Sequence, residues 1–272
     1  MKNISQYITD ESWALELSYE DVAKAVALLD DTLIRVYSNG VSTTRELANA
    51  QYLERNSCIV LAELGMVFEA SCKMITHLHA DIQSHREISL TFRPQSMLES
   101  VSLSFNPDQQ SRSLITLLTS NVIKTLTPQE LRAVTHSERP TCPCCLDRQK
   151  AIRENASIHP LLPFLKHLAE QDRAVNVFHR GEFASSAQRI QPRSVTADKG
   201  VVYLSDKDQF CSIDLTKLYQ ATVCINNQHA EPFTELKGFN SHGENIVEIQ
   251  QDGVEPFSQW QSFFAIPEPI LS

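Results

Sequence analysis

The chain repeats itself, and that repetition constrains its fold more than any single motif. A break at Ser137 to Asn155, SERPTCPCCLDRQKAIREN, gathers two prolines, three cysteines and a run of charge between two patterned halves, the composition of a linker or exposed loop. Before it, Tyr19 to Val36 has Val22, Ala25, Val26, Leu29 and Leu33 at helical spacing, followed by the strand-like run SCIVLAELGMVFEASCKMI. After it, PLLPFLKHLAEQ reads as a helix and AVNVFHRGEFASSAQRI as the corresponding run. Laying one run on the other pairs Gly65 with Gly181. After a one-residue gap, Phe68 meets Phe183, Ser71 meets Ser186 and Ile75 meets Ile190.

The correspondence continues downstream. REISLTFRPQSMLESVSLSF parallels FCSIDLTKLYQATVCI, with Ile88, Leu90 and Thr91 on Ile213, Leu215 and Thr216. FTELKGFNSHGENIVEIQ predicts a hairpin around Ser-His-Gly, and SLITLLTSNVIKTL one around Ser-Asn. TPQELRAV and PFSQWQSFF close the halves as short helices. The expected fold is α+β: residues 1–136 form a first, degenerate unit, 137–156 a linker with the Cys cluster, and 157–272 a second unit. Each unit is a largely antiparallel β-meander with flanking helices.

Composition narrows the function classes. A net charge of -9 and a pI near 5.5 argue against nucleic acid as the main partner, because phosphate binding needs a basic footprint. The hydrophobic fraction of 42% suffices for a packed core, and mean hydropathy of -0.23 describes a soluble chain. No apolar run approaches the roughly 18 residues of a membrane span, so no membrane insertion is expected. MKNISQYITDESW lacks the apolar core of an export signal, which points to the cytoplasm and reduced thiols. Cys58, Cys72, Cys211 and Cys224 lie in apolar segments, where a cysteine acts as a small hydrophobe.

The second half resembles the bacterial haem-utilisation family of HemS, HmuS, ChuX and HutX. The resemblance rests on VNVFHRGEF, VVYLSDKDQFCSIDLTKLYQATV, FTELKGFNSHGENIVEI and the tryptophan-bearing terminal helix, and reaches the first half only through the repeat. It implies a haem-binding protein of haem and iron utilisation that carries or buffers haem on a histidine axial ligand. The implied partners are haem, a haem donor or acceptor protein, and a second copy in a homodimer. Two other readings stand beside it: a haem-degrading enzyme of the HemS type, and a regulatory module that has lost haem and senses metal or redox state.

On the family pattern His179 is the axial donor, with His159 and His167 as alternatives near the helix that leads into the second unit. The place of a second histidine in single-copy members is Ser212 here, and the place of His179 in the first half is Glu63, which confines the expected site to the second half. Haem needs cations for its propionates, for which Arg180, Arg189 and Arg193 are candidates, and apolar walls, for which Phe178 and Phe183 are. On a regular strand His179 and Arg180 face opposite ways. Cys142, Cys144 and Cys145 offer three soft thiolates for zinc or another soft metal, with His136 near in sequence, but lack a second Cys-x-x-Cys pair. His77 and His79 share a strand face with His85 nearby, and read as an ordinary polar connector.

Overall fold

A computed structural model describes residues 11–16, 32–47, 51–55, 58–63, 66–71, 75–83, 87–94, 99–106, 112–127, 129–130, 142–181, 183–207, 209–227 and 231–264. These form a mixed α+β protein dominated by antiparallel strands. The chain divides into two compact units, one comprising Met1–Tyr37, Thr44–Arg139 and Gly181–Ser186, the other Ser38–Thr43, Pro140–Arg180 and Ala187–Ser272.

The strands of the first unit are β1 (Glu11–Leu15), β2 (Thr32–Ser38), β3 (Val41–Leu47), β4 (Gln51–Arg55), β5 (Cys58–Glu63), β6 (Met66–Ser71), β7 (Ile75–Gln83), β8 (Glu87–Pro94), β9 (Glu99–Phe105) and β10 (Val122–Leu126). Helix α1 (Arg112–Ser120) precedes β10. One sheet runs β10-β1-β7-β8-β9-β2, and β4, β5 and β6 form an antiparallel meander. The β8–β9 pair supplies the two strands expected within REISLTFRPQSMLESVSLSF. It buries Ile88, Leu90 and Phe92 against Val101, Leu103 and Phe105 by simple alternation.

Three expectations for this half are corrected. The helical pattern that ends at Val36 gives way to strand β2, where Thr32, Ile34, Val36 and Ser38 are buried at period two; the earlier part of that pattern lies outside the described residues. SCIVLAELGMVFEASCKMI is two strands, β5 and β6, rather than one run. SLITLLTSNVIKTL forms helix α1 and β10 instead of a hairpin. Leu114, Ile115 and Leu118 make a buried helical stripe, and the Asn121 side-chain amide closes it by donating to the Leu117 carbonyl at 2.7 Å. Of the closing helix TPQELRAV, the described residues are Thr127, outside the helix, and Gln129 and Glu130, which are helical.

The second unit begins with helices α2 (Pro143–Glu154) and α3 (Leu161–Glu170). Its strands are β11 (Val175–Arg180), β12 (Ala184–Ile190), β13 (Ser194–Asp198), β14 (Val201–Asp206), β15 (Gln209–Asp214), β16 (Gln220–Asn226), β17 (Phe233–Phe239) and β18 (Asn245–Asp252), and helix α4 (Pro256–Phe264) follows. Strands β13, β14 and β15 make an antiparallel meander, and β16-β17-β18-β11-β12 lie in order within a second sheet. Asp198 pairs with Val201, leaving Lys199-Gly200 as a two-residue turn with φ of 48° and 81°, whose twist matches the strands it joins. The β17–β18 hairpin is where FTELKGFNSHGENIVEIQ places it. Its loop is held by the Asn240 side-chain oxygen, which accepts from the His242 and Glu244 amides at 2.9 and 3.0 Å.

The linker expectation for Ser137 to Asn155 is also corrected, since α2 fills its latter part. Pro143 begins the helix, where a missing N–H costs nothing, and Gln149 and Ile152 turn inward. Helix α3 forms as expected. Leu161, Leu162, Phe164, Leu165 and Leu168 are buried at helical spacing, and Pro163 falls in the first turn, where backbone donors have no intrahelical acceptor.

Phe164 is the centre of the core. Its ring meets Trp260 edge-on at 4.9 Å, and Phe263 and Phe264 at 5.8 and 5.5 Å. Trp260 is wholly buried, so α4 is anchored on α3 through one aromatic cluster. Trp260→Ala is therefore expected to destabilise the protein by about 3–5 kcal/mol, read as a lowered urea midpoint. A loss below about 1 kcal/mol would contradict that anchoring role.

Candidate functional site

The stretch VNVFHRGEF does not assemble a site as the sequence suggested. Alternation along β11 turns Val175, Val177 and His179 inward and Arg180 outward. His179 is fully buried opposite Val247, and neither ring nitrogen makes a hydrogen bond of good geometry. Burial pushes its pKa down to about 4, partly opposed by a contact with the Ser38 backbone too poor in geometry to satisfy the ring. The ring is thus neutral, but both nitrogens are sealed off, and an iron atom has no approach to either in this conformation.

The candidate cations and walls also separate. Arg180 pairs at 3.2 Å with the buried carboxylate of Glu248, beside a second buried acid, Glu235, which holds Lys237 at 3.2 Å and accepts from Gln250 at 2.8 Å. Arg189 points to solvent between buried Gln188 and Ile190, and Arg193 pairs with Asp206 at 3.1 Å. Phe178 is half-buried. Phe183 belongs to the first unit, where its amide and that of Ala184 donate to Glu99 at 2.7 and 3.2 Å. A Cβ on Gly181 would stand 2.5 Å from the same carboxylate oxygen, so this glycine is fixed by a close approach. His77 and His79 lie on strand β7 as expected, and His85 and His136 lie outside the described residues.

A different cluster does form, around the start of α3. His159 caps the short 3-10 turn Ala156–Ile158 and is buried. Its Nδ1 accepts from the Leu161 amide at 3.2 Å, which leaves the proton on Nε2, and Nε2 lies 3.2 Å from the Leu218 carbonyl. Burial holds its pKa near 4, so this imidazole is neutral at physiological pH. The Leu218 carbonyl also accepts from Arg148 Nη2 at 2.7 Å. The Arg148 guanidinium lies 4.5 Å over the Tyr219 ring, and its Nη1 is buried without a hydrogen bond. Gln149 reaches the Tyr219 hydroxyl at 3.5 Å. Burial, and then a hydrogen bond with Cys145, raises the Tyr219 pKa. His167, on the last turn of α3, has its Nε2 buried without a partner and its ring 5.3 Å from Phe263.

Arg148 and Tyr219 were not foreseen. The available signal was the stripe Cys145, Arg148, Gln149 and Ile152, spaced three, four and seven residues apart on one face of α2. Only one of the four is aliphatic, so a search for hydrophobic periodicity passes over it.

The three clustered cysteines stand at the open end of α2. Cys142 is the N-cap, its sulfur is 2.9 Å from that of Cys144, and the sulfurs of Cys142, Cys144 and Cys145 lie within 4.8 Å of one another. Hydrogen bonds from Cys144 and Cys145 bring the Cys142 pKa down to about 7. Cys211, by contrast, is buried and pushed up to about 12, an inert core thiol as its apolar context suggested.

Mixed antiparallel sheets with a helix pair leading into the second unit define a fold class that the solved structures contain. It is the fold of ChuS and PhuS. The match to ChuS, the heme-degrading enzyme of Escherichia coli O157:H7, has a TM-score of 0.68 at 12% identity, covering 94% of this chain and 87% of that one. Apo-PhuS, a heme-binding protein from Pseudomonas aeruginosa, matches with a TM-score of 0.68 at 10% identity over 93% of this chain and 86% of its own. Holo-PhuS gives 0.65 at 12% identity, over 93% and 86%. No family model and no curated protein sequence matches. Among the described residues no helix is long and apolar enough to cross a membrane.

The buried imidazoles make stability depend on pH. His159 and His179 have folded pKa values near 4 against 6.5 in an open chain, so between those values the unfolded chain takes up the proton first. Their stabilisation is whole above pH 6.5 and is lost as pH falls towards 4, on the order of 3 kcal/mol for each ring. His179→Leu should flatten this acid limb in urea unfolding measured across that range. An unchanged slope would show that the His179 ring titrates freely in the native protein.

Proposed function

We propose that the chain binds haem and carries or buffers it within a haem-utilisation system, with His159 as the axial donor. The supporting observation is the fold: it matches, over nearly the whole chain, two proteins described as heme-binding and heme-degrading. His159 suits the role better than the other two histidines. Its ring is neutral; for iron to take Nε2 the proton would move to Nδ1, giving up the bond from the Leu161 amide and the contact of Nε2 with the Leu218 carbonyl. That contact can be released without stranding its partner, because Arg148 still satisfies the Leu218 carbonyl. The unused Nη1 of Arg148 is a spare donor beside the ring for a carboxylate. Haem would supply the iron centre; what this chain contributes is a neutral imidazole, a cation and an apolar surround.

The proposal keeps the tandem reading of two related units. In its support, the described residues of the two aligned runs are a pair of successive strands in each half, β5 and β6 in the first and β11 and β12 in the second. It also keeps a cytoplasmic setting with a haem donor or acceptor as partner. Against the repeat, SLITLLTSNVIKTL and FTELKGFNSHGENIVEIQ adopt different structures.

Hemin titration followed by absorbance tests the reading. The wild type is expected to give a one-to-one complex with a Soret band distinct from free hemin. His159→Ala should shift that band and weaken binding by at least tenfold, while His179→Ala should leave its position unchanged. A wild-type spectrum equal to that of free hemin overturns haem binding, and a shift with His179→Ala but not His159→Ala overturns the choice of ligand. Adding a reductant in air separates a carrier, whose Soret band persists, from a degrading enzyme, whose band bleaches.

A further inference from the structure

We propose that Cys142, Cys144 and Cys145 form a three-thiolate site for one copper(I) ion at the exposed N-terminus of α2. Three observations carry this. The three sulfurs already lie within 4.8 Å of one another, on one N-cap residue and the first turn of a 12-residue helix. Three sulfurs at roughly 2.3 Å from a trigonal ion are about 4 Å apart, so assembly needs the Cys142–Cys144 pair, at 2.9 Å, to open by about 1 Å, while the others, within 4.8 Å, adjust by less. The amides of Cys144 and Cys145 also donate to the Cys142 sulfur, so backbone donors at the positive end of the helix already face the charge that thiolates would carry.

The choice of ion follows from ligand number and softness. Zinc(II) in a structural site takes four ligands, and among the described residues this cluster holds three. Copper(I) is soft, and three thiolates satisfy it without a fourth ligand. Binding displaces the thiol protons to solvent and involves no change of oxidation state. The site is distinct from the buried thiol Cys211 and the partly buried Cys224 and does not depend on the haem reading.

The test uses the full reduced chain under anaerobic conditions, with copper(I) supplied in acetonitrile and competed by a chromogenic copper(I) chelator. The expected result is one copper per chain, an ultraviolet thiolate-to-copper band, and protection of Cys142, Cys144 and Cys145 from alkylation in peptide mapping. Cys144→Ser should weaken binding at least tenfold, and Cys211→Ser should leave it unchanged. The serine variants at 142 and 144 alter exposed positions, and serine is itself a good N-cap, so the helix is retained. A copper-to-chain ratio of one to two, protection of other thiols, tighter binding of zinc(II), or binding indifferent to Cys144→Ser would each overturn the site.

Discussion

The second unit hangs on one carbonyl. Leu218 closes the connection between β15 and β16, its side chain is wholly buried, and its oxygen accepts from both Arg148 on α2 and His159 at the start of α3. Two helices and a strand connection thereby share one acceptor. An oxygen with two lone pairs can satisfy both donors, and a part-buried arginine gains from such a partner. Room for Leu218 comes from β17, where a Cβ on Gly238 would stand 2.6 Å from Leu218 Cδ1 and 2.7 Å from Val247 Cγ1. Val247 in turn lies opposite His179. Gly238 therefore leaves room both for Leu218, whose carbonyl meets His159, and for Val247, which lies opposite His179.

Those histidines differ in a way that decides their roles. His179 is buried without a good hydrogen bond, a costly arrangement that its neutral form makes tolerable. Its neighbours on the outward side, Arg180, Glu248, Glu235 and Lys237, are paired with one another. His159 is buried too, but both of its nitrogens are oriented by backbone groups. An oriented, neutral ring favours His159 under the proposed reading, in which its proton would shift from Nε2 to Nδ1. A sealed ring with no partner is a structural residue, and its contribution is to acid sensitivity.

The parts of the fold that depend on local rules were legible in the sequence. Helix α3 follows from five apolar residues at helical spacing, and the β17–β18 hairpin follows from Asn240 and Gly243 between alternating runs. The misread segments are those where two periods compete. Ile34 and Val36 continue a helical pattern but are β-branched and buried at period two. Leu114, Ile115 and Leu118 flank a Ser-Asn pair that resembles a turn, yet those polar groups bond back into the helix they terminate. The cluster around His159 was hidden from the sequence for a related reason. His179 drew attention as a polar residue in an apolar strand, whereas the cluster around His159 is built from an arginine, a glutamine and a backbone carbonyl distant in sequence, and no local pattern records that meeting.

The polar stripe on α2 also joins the two ends of this region. Cys145 contacts the Tyr219 hydroxyl, the Tyr219 ring carries Arg148, and Arg148 shares its acceptor with His159. Each link is a short-range contact whose geometry depends on the next, so a change at the cysteine end has a physical route to the imidazole. Recruiting the Cys145 sulfur to a metal would take a partner from Tyr219. The cation above that ring would then balance its stacking against its bond to Leu218, and the hold of that carbonyl on His159 would change with it. The strength of such coupling is set by how rigidly α2 is seated, and Gln149 and Ile152, the two residues it buries, are what seat it.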